Sequence, residues 1–367
     1  MGKMQNIRFL KQKGDRWLFF LPFFLSLFGL LMIFEASSVA AGHDFGDHFY
    51  YLKHQAVSLV LGVGLFLVFA RLNYRWLKTL ALPGLLVSLV LLVAVLIPGL
   101  GRQVYGGRRW LQVNGFGFQP AELTKLSLVV YLATLLEKRK ALFPFLLVVG
   151  VIFLLLLLEP DLGTALLILA IAFCLYFVAG ASWRRLGFLL LGGLVFAPFL
   201  IWFSPYRRQR FLTFIDTSFD AQGASYHLRQ VLIALGSGGI FGRGLGQSRQ
   251  KFMFLPEVTT DSIFAVIAEE FGFLGASLLI FAFLFLLYRG LQVAFLAKDS
   301  FAQLLVVGMV ATIGFQTIIN LGAMVALVPL TGVPLPFISY GGSSLLVCLI
   351  GMGIVYNISK SLPKTKK

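Results

Sequence analysis

Few residues in this chain have both the chemistry and the setting to act on a substrate. Asp261 follows Pro256-Glu257-Val258-Thr259-Thr260 and precedes a long apolar run. A carboxylate there can accept a proton from a hydroxyl, or it can cap the helix that the run predicts; both readings stand on the residues alone. Glu122 and Lys125 are three apart in an apolar stretch, hence on one helical face and able to pair. They read equally as a packing ion pair or as the lining of a polar cavity. Glu269 and Glu270 are adjacent, so they point about 100° apart on a helix and read as hydrogen-bonded structural carboxyls. Glu159 and Asp161 bracket Pro160 in a tight turn, where capping by Asp161 competes with a cation site. The four histidines (43, 48, 54, 227) lack metal-ligand spacing, and the chain has no phosphate loop, dinucleotide fingerprint or Ser-His-Asp pattern. Cys174 and Cys348 sit in apolar runs and read as small hydrophobes.

The elements that must carry these residues are set by composition. Of 367 residues, 59% are hydrophobic and only 13% charged. A soluble domain keeps about a quarter of its residues charged, so most of this surface must face lipid. Windows of about 20 apolar residues predict ten helices near 17–40, 54–70, 74–98, 121–136, 142–158, 163–180, 185–204, 262–287, 302–329 and 341–358. The expected architecture is therefore an all-α polytopic membrane protein, a single domain over 1–367. The first span is too long for a secretory h-region and lacks a cleavage site, so it reads as retained. No repeat divides the chain into matching halves, which lowers the weight of a secondary transporter.

The basic residues orient the spans. With 31 Lys and Arg against 15 Asp and Glu, the formal net charge is +16. Nineteen of the basic residues fall in the two tails and in alternate connections, which places both termini in the cytoplasm by the positive-inside rule. Of the eleven on the opposite side, ten occupy two connections: Arg102, Arg108 and Arg109, then Arg207, Arg208, Arg210, Arg229, Arg243, Arg249 and Lys251. The second connection, 205–261, is the one large extracytoplasmic loop. Its stretch 226–235 fits an amphipathic helix and 236–246 is rich in turns. Arginines kept on that side either decorate a solvated loop or meet an anionic partner. The surplus is thus accounted for by the membrane and an anionic ligand, without nucleic acid.

Six stretches, taken in order, carry a family resemblance. They are Arg108-Arg109-Trp110-Leu111; Phe118-Gln119-Pro120-Ala121-Glu122-Leu123-Thr124-Lys125; Glu159-Pro160-Asp161-Leu162-Gly163-Thr164; Gly236-Ser237-Gly238-Gly239-Ile240-Phe241-Gly242-Arg243-Gly244; Phe254-Leu255-Pro256-Glu257-Val258-Thr259-Thr260-Asp261-Ser262-Ile263-Phe264-Ala265; and Pro334-Leu335-Pro336-Phe337-Ile338-Ser339-Tyr340-Gly341-Gly342-Ser343-Ser344. The chain resembles the SEDS family (shape, elongation, division and sporulation), which includes RodA and FtsW. Short tails and the Phe-Leu-Pro-Glu wording look closer to the elongation branch, RodA.

The resemblance implies a peptidoglycan glycosyltransferase in the bacterial cytoplasmic membrane. Such an enzyme polymerises lipid II on the outer face and releases undecaprenyl pyrophosphate during elongation and shape maintenance. It implies a class B penicillin-binding protein as partner, alongside other membrane proteins of the elongation complex. A divalent cation, magnesium or manganese, is a possible cofactor. Asp261 matches the family's essential aspartate and is expected to be the general base. Arg108, Arg109, and Arg210 or Arg243 are expected at the pyrophosphate. Glu122 and Lys125, with Ser339 and Ser343 opposite, are expected to wall the cavity. The family usually reads His-Thr-Asp followed by an aromatic where this chain has Thr259-Thr260-Asp261-Ser262, which puts a contribution from that histidine in doubt. A lipid II flippase and a non-catalytic scaffold for the penicillin-binding protein are the alternatives.

Overall fold

The computed structural model describes residues 14–104, 107–113, 116–138, 141–216, 224–251 and 255–362. Of the nineteen basic residues that orient the spans, Lys3, Arg8, Lys11, Lys13, Arg139, Lys140, Lys364, Lys366 and Lys367 lie outside them, as does Phe254. The described residues form twelve helices and one small sheet: α1 (Arg16–Phe45), α2 (Tyr50–Phe69), α3 (Trp76–Leu96), β1 (Gly101–Val104), β2 (Gly107–Val113), β3 (Phe116–Phe118), α4 (Pro120–Lys138), α5 (Leu142–Leu158), α6 (Leu162–Val178), α7 (Trp183–Trp202), α8 (Pro205–Ile215), α9 (Ala224–Ser237), α10 (Ile263–Phe295), α11 (Ser300–Met324) and α12 (Gly342–Ser359).

Each of the ten apolar windows contains a helix. Six of these (α1, α2, α3, α10, α11 and α12) are long and apolar enough to cross a membrane, and α5 and α6 are shorter apolar helices. Their polarity is inverted relative to a protein in water. Phe24, Val60, Phe143 and Leu194 are 65 to 75% exposed, whereas Glu122, Lys125, Gln316 and Asn320 are buried. An apolar exterior around a polar interior is stable only where the surroundings are hydrocarbon.

Five helix pairings hold the bundle. α12 packs along α2, α3 along α4, and α11 lies against α10, α6 and α4. Local chemistry starts the helices: Asp15 accepts from the Trp17 and Leu18 amides, and Asp299 accepts from Ala302 N at 2.8 Å. Asp15 also pairs with Arg289, and its amide donates to Ser359 Oγ at 3.1 Å. The start of α1 and the end of α12 therefore meet at one end of the bundle.

Three features depart from the expected all-α pattern. First, the connection 101–118 forms a three-stranded antiparallel sheet in the order β1-β2-β3, with Arg102 opposite Trp110, Leu111 opposite Phe118, and a bulge between Arg102 and Gln103. Second, α11 ends at Met324, and residues 325–341 form an irregular segment whose Val333, Leu335, Phe337 and Ile338 are buried. Non-helical backbone at depth needs partners from the protein. Asn320 supplies one by donating to Val333 O, and Gln55 another by accepting from Gly341 N.

Third, α10 is broken at Gly272, with φ 67° and ψ −166°. The glycine-rich stretch 236–246 restores the lost helical hydrogen bonds. Arg243 N and Gly244 N donate to the carbonyls of Glu269 and Glu270, while Phe273 N and Leu274 N donate to Gly239 O and Ile240 O. Close approach requires glycine here: a Cβ on Gly242, whose φ is +81°, would lie 2.2 Å from Glu270 O. Gly242→Ala should therefore cost about 1–3 kcal/mol or more, read as a lowered Tm of the detergent-solubilised protein. Gly64→Ala, where a Cβ meets nothing within 4 Å, should leave the Tm unchanged or raise it. Equal melting of the two variants would contradict this account of the break.

Candidate functional site

Asp261 lies two residues before α10 begins. The short chain around it is fixed through its backbone. Asn320 Nδ2 donates to Asp261 O at 3.0 Å, Ser339 Oγ to Thr260 O at 2.5 Å, and Tyr340 N to Thr259 O at 2.8 Å. Ser339 Oγ also accepts from Leu335 N at 2.8 Å. The 325–341 segment and the 259–261 segment thus form one unit, from which the Asp261 side chain is left to act. Among the described residues no hydrogen bond occupies its carboxylate. Ser262 Oγ is 2.6 Å from His227 Nε2, which ties α9 to the start of α10.

The second wall comes from the α5–α6 turn and β2. Asp161 caps α6, accepting from Thr164 N at 3.1 Å and from Thr164 Oγ1 at 2.9 Å, so the capping reading describes its geometry. Its Oδ2 also receives Gln119 Nε2 at 3.4 Å, while Gln119 N donates to Ser343 Oγ at 3.1 Å. Arg109 Nε donates to Glu159 O at 3.1 Å, and an Nη2 hydrogen goes to Pro160 O. Arg210 on α8 donates to Leu330 O at 2.7 Å, and Arg207 to Leu157 O at 3.3 Å. Each of these guanidinium groups thus has at least one N–H fixed on a backbone carbonyl oxygen.

The electrostatics join these walls. Asp261 keeps accessible surface, yet protein crowds it closely. Desolvation is the largest effect raising its pKa, to about 7; Glu257 and Asp161 raise it further, while Arg210 and Arg109 lower it. Burial likewise lifts Glu159 to about 8, with Asp161 adding to the rise and Arg109 opposing it. Among the described residues neither Glu159 side-chain oxygen has a hydrogen-bond partner. His227 is pushed down to about 4 by burial, against Glu257 and with Arg210, and is neutral near pH 7.

The structure therefore assembles Asp261, Arg109 and Arg210 from the expected set, with Ser339 and Ser343 bonded into the same framework. Glu122 and Lys125 pair at 2.7 Å inside the bundle, 3% and 2% exposed, one turn into α4. Arg108 stands opposite Gln103 in the β1–β2 ladder, and Arg109 is the extra residue at the bulge. Arg243 is engaged elsewhere, 3.5 Å from Glu269 and bonded to Ser237 O. Glu269 further accepts from Ser248 Oγ at 2.5 Å, and Lys251 bridges Glu270 and Glu35 at 3.1 and 3.2 Å. These charges clamp the loop to the break in α10. Sequence reasoning assigned no role to Glu257, Asn320, Gln55 or His227. Glu257 stood in a quoted motif; Asn320 and Gln55 in apolar helices were the available signal for the other two polar anchors. Among the described residues, no three His, Cys, Asp or Glu side chains are grouped to hold a metal ion.

A ten-window apolar bundle with a carboxylate and two arginines at one end defines a membrane enzyme or carrier for an anionic ligand. Residues 16–364 match the family model FTSW_RODA_SPOVE, described as "Cell cycle protein", and the chain belongs to this SEDS family. Among its relatives, a probable peptidoglycan glycosyltransferase FtsW of Trichlorobacter lovleyi is 39% identical over 349 residues, covering 92% of this chain and 91% of the relative. Stage V sporulation protein E of Bacillus subtilis is 38% identical over 361 residues, covering 95% and 98%. A solved chain from a work on "structural coordination of polymerization and crosslinking by a peptidoglycan synthase complex" aligns with a TM-score of 0.79 at 32% identity, covering 95% of this chain and 98% of that one. The rod shape determining protein RodA of Thermus thermophilus aligns with a TM-score of 0.70 at 31% identity, covering 96% and 98%.

The charge set makes a directional prediction. Glu257 raises the Asp261 pKa and Arg210 lowers it, so any activity that needs ionised Asp261 should rise through about pH 7. Glu257→Gln should move that limb to lower pH and Arg210→Gln to higher pH, measured as rate against pH on the purified variants. Limbs that stay together, or move the opposite way, would contradict the assignment.

Proposed function

We propose that this protein is a peptidoglycan glycosyltransferase that polymerises lipid II at the outer face of the cytoplasmic membrane, with Asp261 as general base. The observation that carries the reading is the placement of a desolvated, reachable carboxylate within the electrostatic reach of two arginines, Arg109 and Arg210. Family membership and the glycosyltransferase names of its relatives support the reaction class.

Asp261 takes the proton from the 4-hydroxyl of the acceptor sugar as that oxygen attacks the anomeric carbon of the donor. The new glycosidic bond forms as the bond from that carbon to the pyrophosphate oxygen breaks, and the pair of electrons leaves with undecaprenyl pyrophosphate. A base with a pKa near 7 is well matched to this step at neutral pH. Arg109 and Arg210 stabilise the developing negative charge, and guanidinium groups bind such oxygens bidentately. With Asp261 as the base and the acceptor oxygen as the attacking group, displacement is direct and the anomeric centre inverts. The buried Glu122–Lys125 pair shapes the interior behind Gln119 and does no chemistry. A magnesium or manganese ion would enter with the substrate pyrophosphate.

The orientation follows from the loop charges: termini inside, site outside. A class B penicillin-binding protein would crosslink the product strands, and membrane proteins of the elongation complex would surround the pair. For the branch we propose elongation, on the Phe254-Leu255-Pro256-Glu257 stretch before Asp261. Rescue of a RodA-depleted but not an FtsW-depleted host is expected; the reverse would move the protein to division.

The experiment incubates lipid II and the partner transpeptidase with wild type or Asp261→Asn, reading glycan chains on a gel. Asp261→Asn should lose a factor on the order of 10²–10⁴ in rate while keeping its Tm. Polymer made at the wild-type rate would end the base assignment. If wild type makes no polymer but moves lipid II across vesicles, the flippase alternative replaces this one. Absence of both activities would leave the scaffold alternative.

A further inference from the structure

At the end of the bundle opposite Asp261, the first turns of α3 and the last turns of α4 leave a groove of about 240 Å³, lined by Lys78, Ala81, Leu82, Tyr131, Thr134, Leu135 and Lys138. It holds the liquid volume of roughly eight waters, which suits a glycerophosphate group and not a whole lipid. Its chemistry is divided: Lys78 and Lys138 form the rim, and Ala81, Leu82 and Leu135 the wall below.

Lys78 is held in place. Its Nζ lies 2.7 Å from Glu137 and 4.7 Å from the Phe301 ring centre, so Glu137 offsets its charge. Lys138 has no carboxylate partner among the described residues, and neither does the Tyr131 hydroxyl have a hydrogen-bond partner there. Thr134 spends its hydroxyl hydrogen on Val130 O at 2.9 Å. The unspent groups are thus donors and a cation, complementary to a singly charged phosphodiester. The groove opens onto the apolar belt: Leu82 and Leu86 are more than half exposed on the same helix, and Trp76, 73% exposed, stands at its start, where interfacial tryptophans sit. An acyl chain would run along that surface below the headgroup, an arrangement open to a lipid and useless to free phosphate.

We propose that the α3–α4 groove is a binding site for the phosphodiester headgroup of an anionic phospholipid in the leaflet facing the termini. The site is separate from Asp261, and the proposal stands whether or not the catalytic reading does.

The test titrates the full-length protein in detergent with phosphatidylglycerol, phosphatidylcholine or inorganic phosphate, reading Tm and bound lipid by native mass spectrometry. Phosphatidylglycerol should bind and raise the Tm, with phosphatidylcholine and inorganic phosphate well below it. Lys138→Gln should weaken phosphatidylglycerol roughly fivefold, and Lys138→Gln with Tyr131→Phe on the order of tenfold. Lys298→Gln, at the same end but outside the groove, should leave binding as in wild type, and all variants should melt alike in phosphatidylcholine. Equal binding of the two lipids, equal stabilisation by inorganic phosphate, or wild-type affinity in the double variant would each overturn the proposal.

Discussion

Removing most of the water from around one carboxylate, while leaving it reachable, is the constraint on which this structure turns. Asp261 loses hydration to the protein packed around it, and two further carboxylates, Glu257 and Asp161, disfavour its charge as well. Arg109 and Arg210 keep the charged form accessible near neutrality. None of these five residues lies in the same element as another except Glu257 and Asp261, so their relation depends on how α5, α6, α8, α10 and β2 are held together.

The holding is done by backbone groups. Thr259, Thr260 and Asp261 are tied through their carbonyls to Tyr340, Ser339 and Asn320, which keeps their side chains available. Arg109 and Arg210 are likewise anchored on carbonyl oxygens. A guanidinium paired with a buried carboxylate would have its charge offset before a substrate arrived. Arg243 shows the contrast: paired with Glu269 beside the break at Gly272, it serves the scaffold. The ion network of Glu35, Lys251, Glu269 and Glu270 has a similar role, since unpaired charges at that depth would cost several kcal/mol each.

The helices were legible because lipid imposes a simple rule, about 20 apolar residues per crossing, and every predicted window holds one. The three-stranded sheet was not anticipated, although Gly106-Gly107 and Asn114-Gly115 are dipeptides common between paired strands; a search for apolar runs passes over such a segment. The overlong tenth-window neighbour, 302–329, failed differently. Residues 325–329 are apolar yet lie outside the helix, with Val325 and Leu327 exposed, and hydropathy alone cannot separate such an apolar turn from helix in lipid. Asp261 and Arg109 could be singled out from motifs, but the choice among the arginines depended on a β-bulge at Arg109 and on contacts between residues distant in sequence.

The central claim, that Asp261 is held at the edge of ionisation by its surroundings, is tested most directly by titrating that carboxyl itself. Infrared difference spectra of isotopically labelled protein, wild type minus Asp261→Asn, would follow its protonated carbonyl band against pH. The account predicts loss of the band with a midpoint near pH 7. A midpoint near the ordinary aspartate value, about 4, would contradict it.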